Sequence, residues 1–231
     1  RCDSRRPYGL AAACPPQCGL MSASASPPLT AEEFEARIDV SRETMDRLRA
    51  FAHLLTERQK VQNLVSRNSL DYLWDRHMLD SIQLAELVPQ DAVSLTDIGS
   101  GAGFPGLVLS IYTGLPTTLI ESHGRKCGFL QDVIDATKAP ARVVNDRIEA
   151  FAGESNKNSV DILTARALAP LPKLCEMAAK LGARVCLFQK GARWRDELTD
   201  ARKGWKMQQE TFESQTSPDA RILRITHLAR R

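Results

Sequence analysis

The sequence predicts an α/β protein, with a twisted, doubly wound, largely parallel sheet preceded by a helical cap. Three observations carry that expectation. From residue 93 onward, short apolar runs alternate with amphipathic stretches, the pattern of repeated strand–helix units. Before residue 93 only helical spacing occurs. Between the first apolar run and the first amphipathic stretch lies Asp97-Ile98-Gly99-Ser100-Gly101-Ala102-Gly103-Phe104-Pro105-Gly106, a glycine loop at the strand-to-helix turn where such sheets bind ligands.

A chain of 231 residues holds one such domain and a small accessory region, with a core of useful size. Hydrophobic residues at 43% and charged residues at 26% exclude disordered and fibrous classes. No apolar run approaches the roughly 18 residues of a membrane span, so a soluble protein is expected, and its unpaired cysteines fit a reducing cytoplasm. Charge is uneven: residues 31–92 carry a net −4 and residues 93–231 a net +5. Between Arg184 and Lys206, seven Lys/Arg face three acids. A basic C-terminal half suits a polyanionic partner without demanding one.

Residues 1–29 read as a disordered or non-native extension. The chain begins at Arg1, its first methionine is Met21, and the Ser/Ala/Pro run Ser22–Pro28 offers nothing to pack. Leu10–Cys14 is too short for the apolar core of a secretory signal, about 7–15 residues. Residues 30–92 read as the cap. Thr30-Ala31-Glu32-Glu33 has the spacing of a capping box. After Ser41, Met45, Leu48, Phe51, Ala52 and Leu55 recur at three- and four-residue steps. A polar interval, Gln62–Ser69, precedes Leu70, Leu73 and Trp74, which lead into Arg76-His77-Met78-Leu79-Asp80-Ser81, and Pro89 closes the region.

Residues 93–231 form the sheet domain. Strands are expected at Val93–Ile98, Thr117–Ile120, Arg142–Val144, Val160–Leu163 and Val185–Phe188. Helices are expected at Leu107–Tyr112, Lys126–Thr137, Leu171–Leu181 and Trp194–Lys203. Trp205–Glu213 and Arg221–Leu228, joined by Ser214–Pro218, read as a closing hairpin. Cys2, Cys14 and Cys18 fall in the extension. Cys127, Cys175 and Cys186 form no C-x-x-C pair and no metal-like spacing with the four histidines, so free thiols and no metal are expected. Cys127, after Arg125-Lys126, is the most exposed candidate.

The glycine loop carries the strongest chemical signal. Lacking Cβ, Gly99, Gly101 and Gly103 let backbone approach a ligand closely. Gly101, Gly103 and Gly106 also match the dinucleotide fingerprint, but two residues argue against a pyrophosphate. Pro105 has no N–H to donate where the helix begins. Asp97 sets a carboxylate ahead of the glycines, which repels a pyrophosphate and suits a nucleoside with a cationic tail such as S-adenosylmethionine. Glu121, closing the second strand, is placed to accept both ribose hydroxyls. Asn145-Asp146-Arg147-Ile148-Glu149 follows the third strand, where an adenine edge would be read. Thr164-Ala165-Arg166-Ala167 stands beside the acceptor, and Lys190-Gly191 completes the rim. The expected cofactor set is Asp97, Gly99, Ser100, Gly101, Gly103, Phe104, Glu121, Arg147, Ile148, Glu149 and Arg166.

These segments together resemble the bacterial small-subunit rRNA guanine-N7 methyltransferase family, also called glucose-inhibited division protein B. The resemblance rests on Asn63-Leu64, Arg76–Ser81, Asp97–Gly106, Glu121–Lys126, Arg147-Ile148-Glu149, Arg166-Ala167 and Lys190-Gly191, in order from about residue 34 to the C-terminus. Its most specific parts are the Arg-His-x-x-Asp-Ser helix and the Gly-Phe-Pro-Gly extension of the loop. It departs from the family at Arg58-Gln59, where Trp-Asn is usual, and at Val65, where Asn-Leu-Thr is usual.

The resemblance implies a Rossmann-like class I S-adenosylmethionine-dependent methyltransferase sheet. It implies methyl transfer to N7 of a guanine in 16S rRNA near the decoding region, by a monomer acting on the RNA or on the small ribosomal subunit. N7 is an unprotonated lone pair, so alignment is expected to do the work and no catalytic acid or base is assigned. The expected RNA contacts are Arg76, His77, Arg125, Lys126, Arg166, Lys190 and Arg193. His77 and Asp80 read equally well as hydrogen bonds between cap and sheet domain. On the residues alone, a methyltransferase for another acceptor and a dinucleotide oxidoreductase or nucleotide-binding module stay open.

Overall fold

The chain is described by a computed structural model covering residues 27–154 and 160–231. The expectations for residues 1–26, including Cys2, Cys14, Cys18 and Met21, lie outside the described residues. Leu29, which by sequence falls in the extension, belongs to the fold: it is buried, and its N–H donates to Asp75 Oδ2 at 2.7 Å.

α1 (Ala31–Glu35) opens on the expected capping box. Glu33 N–H donates to Thr30 Oγ1 at 3.2 Å, and Thr30 N–H donates to Glu33 Oε2 at 2.9 Å. α2 (Arg42–Gln59) starts at Ser41, whose hydroxyl accepts from Thr44 N–H, and buries Met45, Leu48, Phe51, Ala52 and Leu55. α3 (Arg67–Leu70) falls largely in the stretch expected to be an irregular polar interval. Trp74–Leu79 then forms a π-helical turn, followed by α4 (Asp80–Ile82) and a 3₁₀ turn, Gln83–Leu87. His77, Met78 and Leu79, on the widened π-helical turn, are all buried. Phe34, Met45, Leu48, Phe51, Leu55, Met78 and Ile82 are all fully buried. At about 1.5–3 kcal/mol for each large apolar side chain, these contacts fasten the cap to the sheet domain.

The sheet domain alternates as expected: β1 (Leu95–Ile98), α5 (Gly106–Thr113), β2 (Thr117–Glu121), α6 (Gly124–Thr137), β3 (Ala141–Asn145), α7 (Ile148–Glu154), β4 (Ile162–Arg166), α8 (Leu171–Lys180), β5 (Val185–Lys190), α9 (Trp194–Gly204), β6 (Trp205–Glu213) and β7 (Arg221–Arg230). The seven strands run in the order β3-β2-β1-β4-β5-β7-β6, with β7 antiparallel to both its neighbours. Val93 precedes β1 and is exposed, so the first strand is shorter than its sequence suggests. α7 was hidden by the acidic turn-like composition at its start; Ile148, Phe151 and Ala152 pack it onto the sheet's second face.

Alternate strand residues build two core layers. Leu95, Leu119, Ile162, Val185 and Leu187 belong to the layer shared with α2, α5 and α6. Ile98, Ile120, Leu163, Ala165, Cys186 and Phe188 belong to the layer under α8 and α9. Burial on both faces explains why the parallel strands read as continuous apolar runs. The strand order reverses between β1 and β4, which opens a crevice at their carboxyl ends. Cys175 and Cys186 are buried free thiols, as expected. Cys127 is buried too, against expectation, because α6 turns it toward β2, where its Sγ donates to Glu121 O at 3.2 Å.

Candidate active site

The crevice is a cleft of about 420 Å³ at the carboxyl ends of β1 to β4. Gly99, Gly101, Glu121, Arg147, Ile148, Glu149 and Arg166 line it, joined by Ser122, His123, Lys126, Asp146, Ala167 and Leu168. Segments more than sixty residues apart in sequence therefore meet in one place, as the strand-end argument requires. Asp97, Ser100, Gly103 and Phe104 do not line it. They lie under the loop and shape it. Ser100 Oγ donates to Asp97 O at 3.0 Å, and a Cβ on Gly103 would sit 3.1 Å from both Leu107 and Phe51. The Phe104 ring stacks between Phe51, at 5.1 Å, and His77, at 4.7 Å.

Two observations test whether the cleft suits a nucleoside with a cationic tail. A Cβ added at Gly101 would find nothing nearer than the Gly99 carbonyl oxygen at 3.8 Å, so the loop leaves open space there. Glu121 is 5% exposed, accepting from Gly101 N–H through Oε2 and from His123 N–H and Nδ1 through Oε1, each at 2.9 Å. Burial raises its pKa, but these donors and the nearby Lys126 outweigh that, and the net shift is downward. Glu121 therefore stays an acceptor-only carboxylate, the form that binds hydroxyl donors. Behind the loop, Asp97 is 1% exposed. Its Oδ1 accepts from Thr164 Oγ1 at 2.6 Å, while Oδ2 has no partner among the described residues. Burial pushes its pKa up to about 6, opposed by Thr164, Ser100 and the Arg166 charge. The residues fit the cofactor expected from the sequence.

A second cleft of about 330 Å³ adjoins the first at the ends of β4, β5 and β7, lined by Asp80, Gln189, Lys190, Gly191, Glu197, Ser214, Ala220, Arg221 and Ile222. Arg166 and Ala167 line both clefts. Arg166 is fixed from several sides. Nη1 donates to Arg76 O at 2.9 Å and pairs with Asp80 Oδ2 at 3.3 Å, Nη2 donates to His77 Nδ1 at 2.8 Å, and the guanidinium lies 5.0 Å from the Phe104 ring centre. Because an arginine only donates, His77 Nδ1 is the acceptor. Its proton sits on Nε2, which donates to Ser69 Oγ at 3.0 Å. Burial first, then the charges of Arg166 and Arg76, hold the His77 pKa down to about 3. Asp80 joins cap to hairpin, since its Oδ1 accepts from Thr216 Oγ1 at 2.7 Å and Gln83 Nε2 at 2.8 Å, and its carbonyl accepts from Gln189 Nε2 at 2.6 Å.

The structure places the expected RNA contacts in unlike surroundings. His77 is buried between Ser69 and Arg166, and acts as a tie between cap and domain. Lys190 is buried, with Nζ paired to Glu197 at 2.6 Å and donating to Ala169 O at 2.9 Å, so it offers no free charge. Lys126 faces the first cleft. Arg76 is exposed with its guanidinium 5.2 Å from the Tyr72 ring centre, and Arg125 and Arg193 are exposed outside both linings. Ser69, Gln189, Thr216 and Arg221 were not foreseen, because nothing in their local sequence distinguishes them from ordinary polar residues.

A parallel sheet of this strand order, ending in an antiparallel hairpin and carrying a glycine loop opposite a strand-end carboxylate, defines a class I S-adenosylmethionine-dependent methyltransferase. Solved structures share the fold. A variant of MtNAS in complex with S-adenosylmethionine superposes with a TM-score of 0.54 at 14% identity, covering 86% of this chain and 84% of that one. A chain of a fibrillarin/Nop5p complex gives 0.50 at 10% identity, covering 65% and 84%. The chain belongs to the rRNA small subunit methyltransferase G family, whose model matches residues 44–223. It is 46% identical over 209 residues to ribosomal RNA small subunit methyltransferase G of Rhodospirillum centenum, covering 89% of this chain and 94% of the relative. The protein of the same name from Parvibaculum lavamentivorans is 47% identical over 203 residues, covering 85% and 89%.

Proposed function

We propose that this chain transfers a methyl group from S-adenosylmethionine to N7 of a guanine in 16S rRNA near the decoding region, as a cytoplasmic monomer acting on the RNA or on the small ribosomal subunit. The observation that carries the N7 reading is the second cleft, which shares Arg166 and Ala167 with the first and holds no uncommitted base among the described residues. Asp80 is bonded to Arg166, Thr216 and Gln83, Glu197 is paired with Lys190, and His77 is buried and neutral. An exocyclic amine or a ribose hydroxyl must lose a proton on methylation, whereas N7 has none to lose. The names of the relatives support ribosomal RNA of the small subunit as the substrate. The free, buried thiols are consistent with a reducing compartment, and no helix of the described residues is long and apolar enough to cross a membrane.

When bound, S-adenosylmethionine supplies a methyl group on a positively charged sulfur. Glu121 would hold its ribose hydroxyls, and Asp146 with the Arg147–Ile148 backbone would hold its adenine edge. Arg166, braced by Asp80 and His77, lines both clefts and would stand between cofactor and acceptor. Its rigidity is the chain's contribution to alignment, which can supply several kcal/mol of barrier lowering. The test is methylation of small subunits from a strain lacking the enzyme, with N7-methylguanine mapped by aniline cleavage. One new cleavage site in 16S rRNA is expected. Methyl incorporation that yields no aniline-labile site would overturn the N7 assignment.

A further inference from the structure

Between β5 and the first turn of α9 the chain reads Gly191-Ala192-Arg193-Trp194-Arg195. Trp194 is half-buried and packs against the core layer under α8 and α9. Two guanidiniums sit over its ring: Arg195 Cζ is 4.6 Å from the ring centre and Arg221 Cζ is 5.8 Å away. The two arginines differ in what else they touch. Arg221 lines the second cleft and is committed there, with Nη1 donating to Pro218 O and Ala220 O at 2.7 Å each and Nη2 paired with Glu213 at 3.3 Å. Arg195 is exposed, and among the described residues its guanidinium has no hydrogen bond or ion pair. A guanidinium held over an indole is attracted by the ring and can still offer its other side and its N–H groups to a ligand.

We propose that Trp194 and Arg195, with Arg193 beside them, form the platform on which the RNA strand flanking the methylated nucleotide docks; this rests on the rRNA reading above. The platform borders the second cleft, since Arg221, whose guanidinium lies over the Trp194 ring, is part of that lining together with Gly191 and Glu197. A base turned out of its stack for modification leaves its neighbours without a stacking partner. Guanidinium planes and aromatic rings replace that partner in single-stranded RNA recognition, and the same cations neutralise the flanking phosphates. Glu197 is paired with Lys190 and Glu213 with Arg221, which leaves exposed Asp196 and Asp219 beside exposed Arg193 and Arg195, so stacking and local phosphate contacts rather than net charge carry the platform.

The test uses the full chain with two acceptors, naked 16S rRNA and assembled small subunits from a strain lacking the enzyme. Arg195→Ala should raise KM for both acceptors about tenfold, with S-adenosylhomocysteine affinity and melting temperature unchanged. It should also reduce the salt dependence of RNA binding by about one phosphate contact. Arg195→Lys should restore the salt dependence and only part of the affinity, because an ammonium does not stack. Trp194→Ala should match or exceed the loss in Arg195→Ala, and Trp194→Phe should recover most of it. Arg195→Ala with KM within twofold of wild type and unaltered salt dependence overturns the platform. A loss confined to assembled subunits also overturns it, and points to a ribosomal protein contact instead. Failure of the wild-type chain to methylate either acceptor would count against the rRNA reading itself.

Discussion

Replacing Gly101 by alanine separates the cleft from the fold. Gly101 has φ +58°, and an added methyl group would meet no protein wall. The cost to folding is that of holding an L-residue in the left-handed region, about 1–2 kcal/mol. In a chain of this size that lowers the melting temperature by about 2–8 °C. The methyl group would stand in the cleft that Gly101 lines. Overlap with a close-packed ligand costs about 1–3 kcal/mol, so affinity for S-adenosylhomocysteine should fall roughly 5- to 150-fold. Gly106→Ala is the contrasting variant. The added Cβ would overlap the Asp97 side chain, lying 2.7 Å from its Cγ and 2.9 Å from Oδ2, behind the loop and away from the cleft. That variant should lose about 1–3 kcal/mol of stability and bind S-adenosylhomocysteine normally in its folded fraction. Thermal melts and titration calorimetry on both proteins decide the matter. Wild-type affinity in Gly101→Ala, or a wild-type melting temperature in Gly106→Ala, would refute the division of the loop into a ligand-facing glycine and a packing glycine.

The buried titratable groups make opposite predictions about pH. His77 has a folded pKa of about 3 against about 6.5 unfolded, so the unfolded chain binds the extra proton and stability falls as pH drops from 6.5 toward 3. His77→Gln should flatten that limb in denaturant titrations, and wild-type methyl transfer should stay flat from about pH 6.5 to 9. An inflection near neutrality that His77→Gln removes would show that the ring titrates after all. Asp97 has a folded pKa of about 6 against about 3.9 unfolded, so the native state holds the proton longer and stability falls as pH rises from about 4 to 6. Asp97→Asn should remove that loss, worth about 3 kcal/mol, and be relatively more stable at pH 8 than at pH 4.5. Equal effects at the two pH values would refute it. Glu121→Gln keeps an acceptor for Gly101 N–H but loses the charge that grips two hydroxyls. Its S-adenosylhomocysteine affinity should drop about tenfold, as calorimetry would register, and the amide nitrogen left facing the His123 N–H should cost about 1–3 kcal/mol of stability.

The glycine loop, the five parallel strands and the capping box at Thr30 were legible because each is written in a few adjacent residues. A backbone that needs positive φ, or a strand buried on both faces, constrains its own neighbours in the chain and so leaves a local trace. The strand-end rule alone assigns Glu121, Arg147 and Arg166 to one cleft, since topology sets where strands end. What each side chain does there was another matter. Lys190 and Arg193 look alike in sequence, yet Lys190 is buried against Glu197 while Arg193 is exposed. His77 could equally have faced solvent, until Ser69, Arg166 and a π-helical turn closed around it. Arg221 reaches the second cleft only because β7 runs antiparallel beside β5. Conformational preference acts over a few residues. Desolvation and charge pairing depend on which distant segments arrive, and only the assembled sheet and cap decide that.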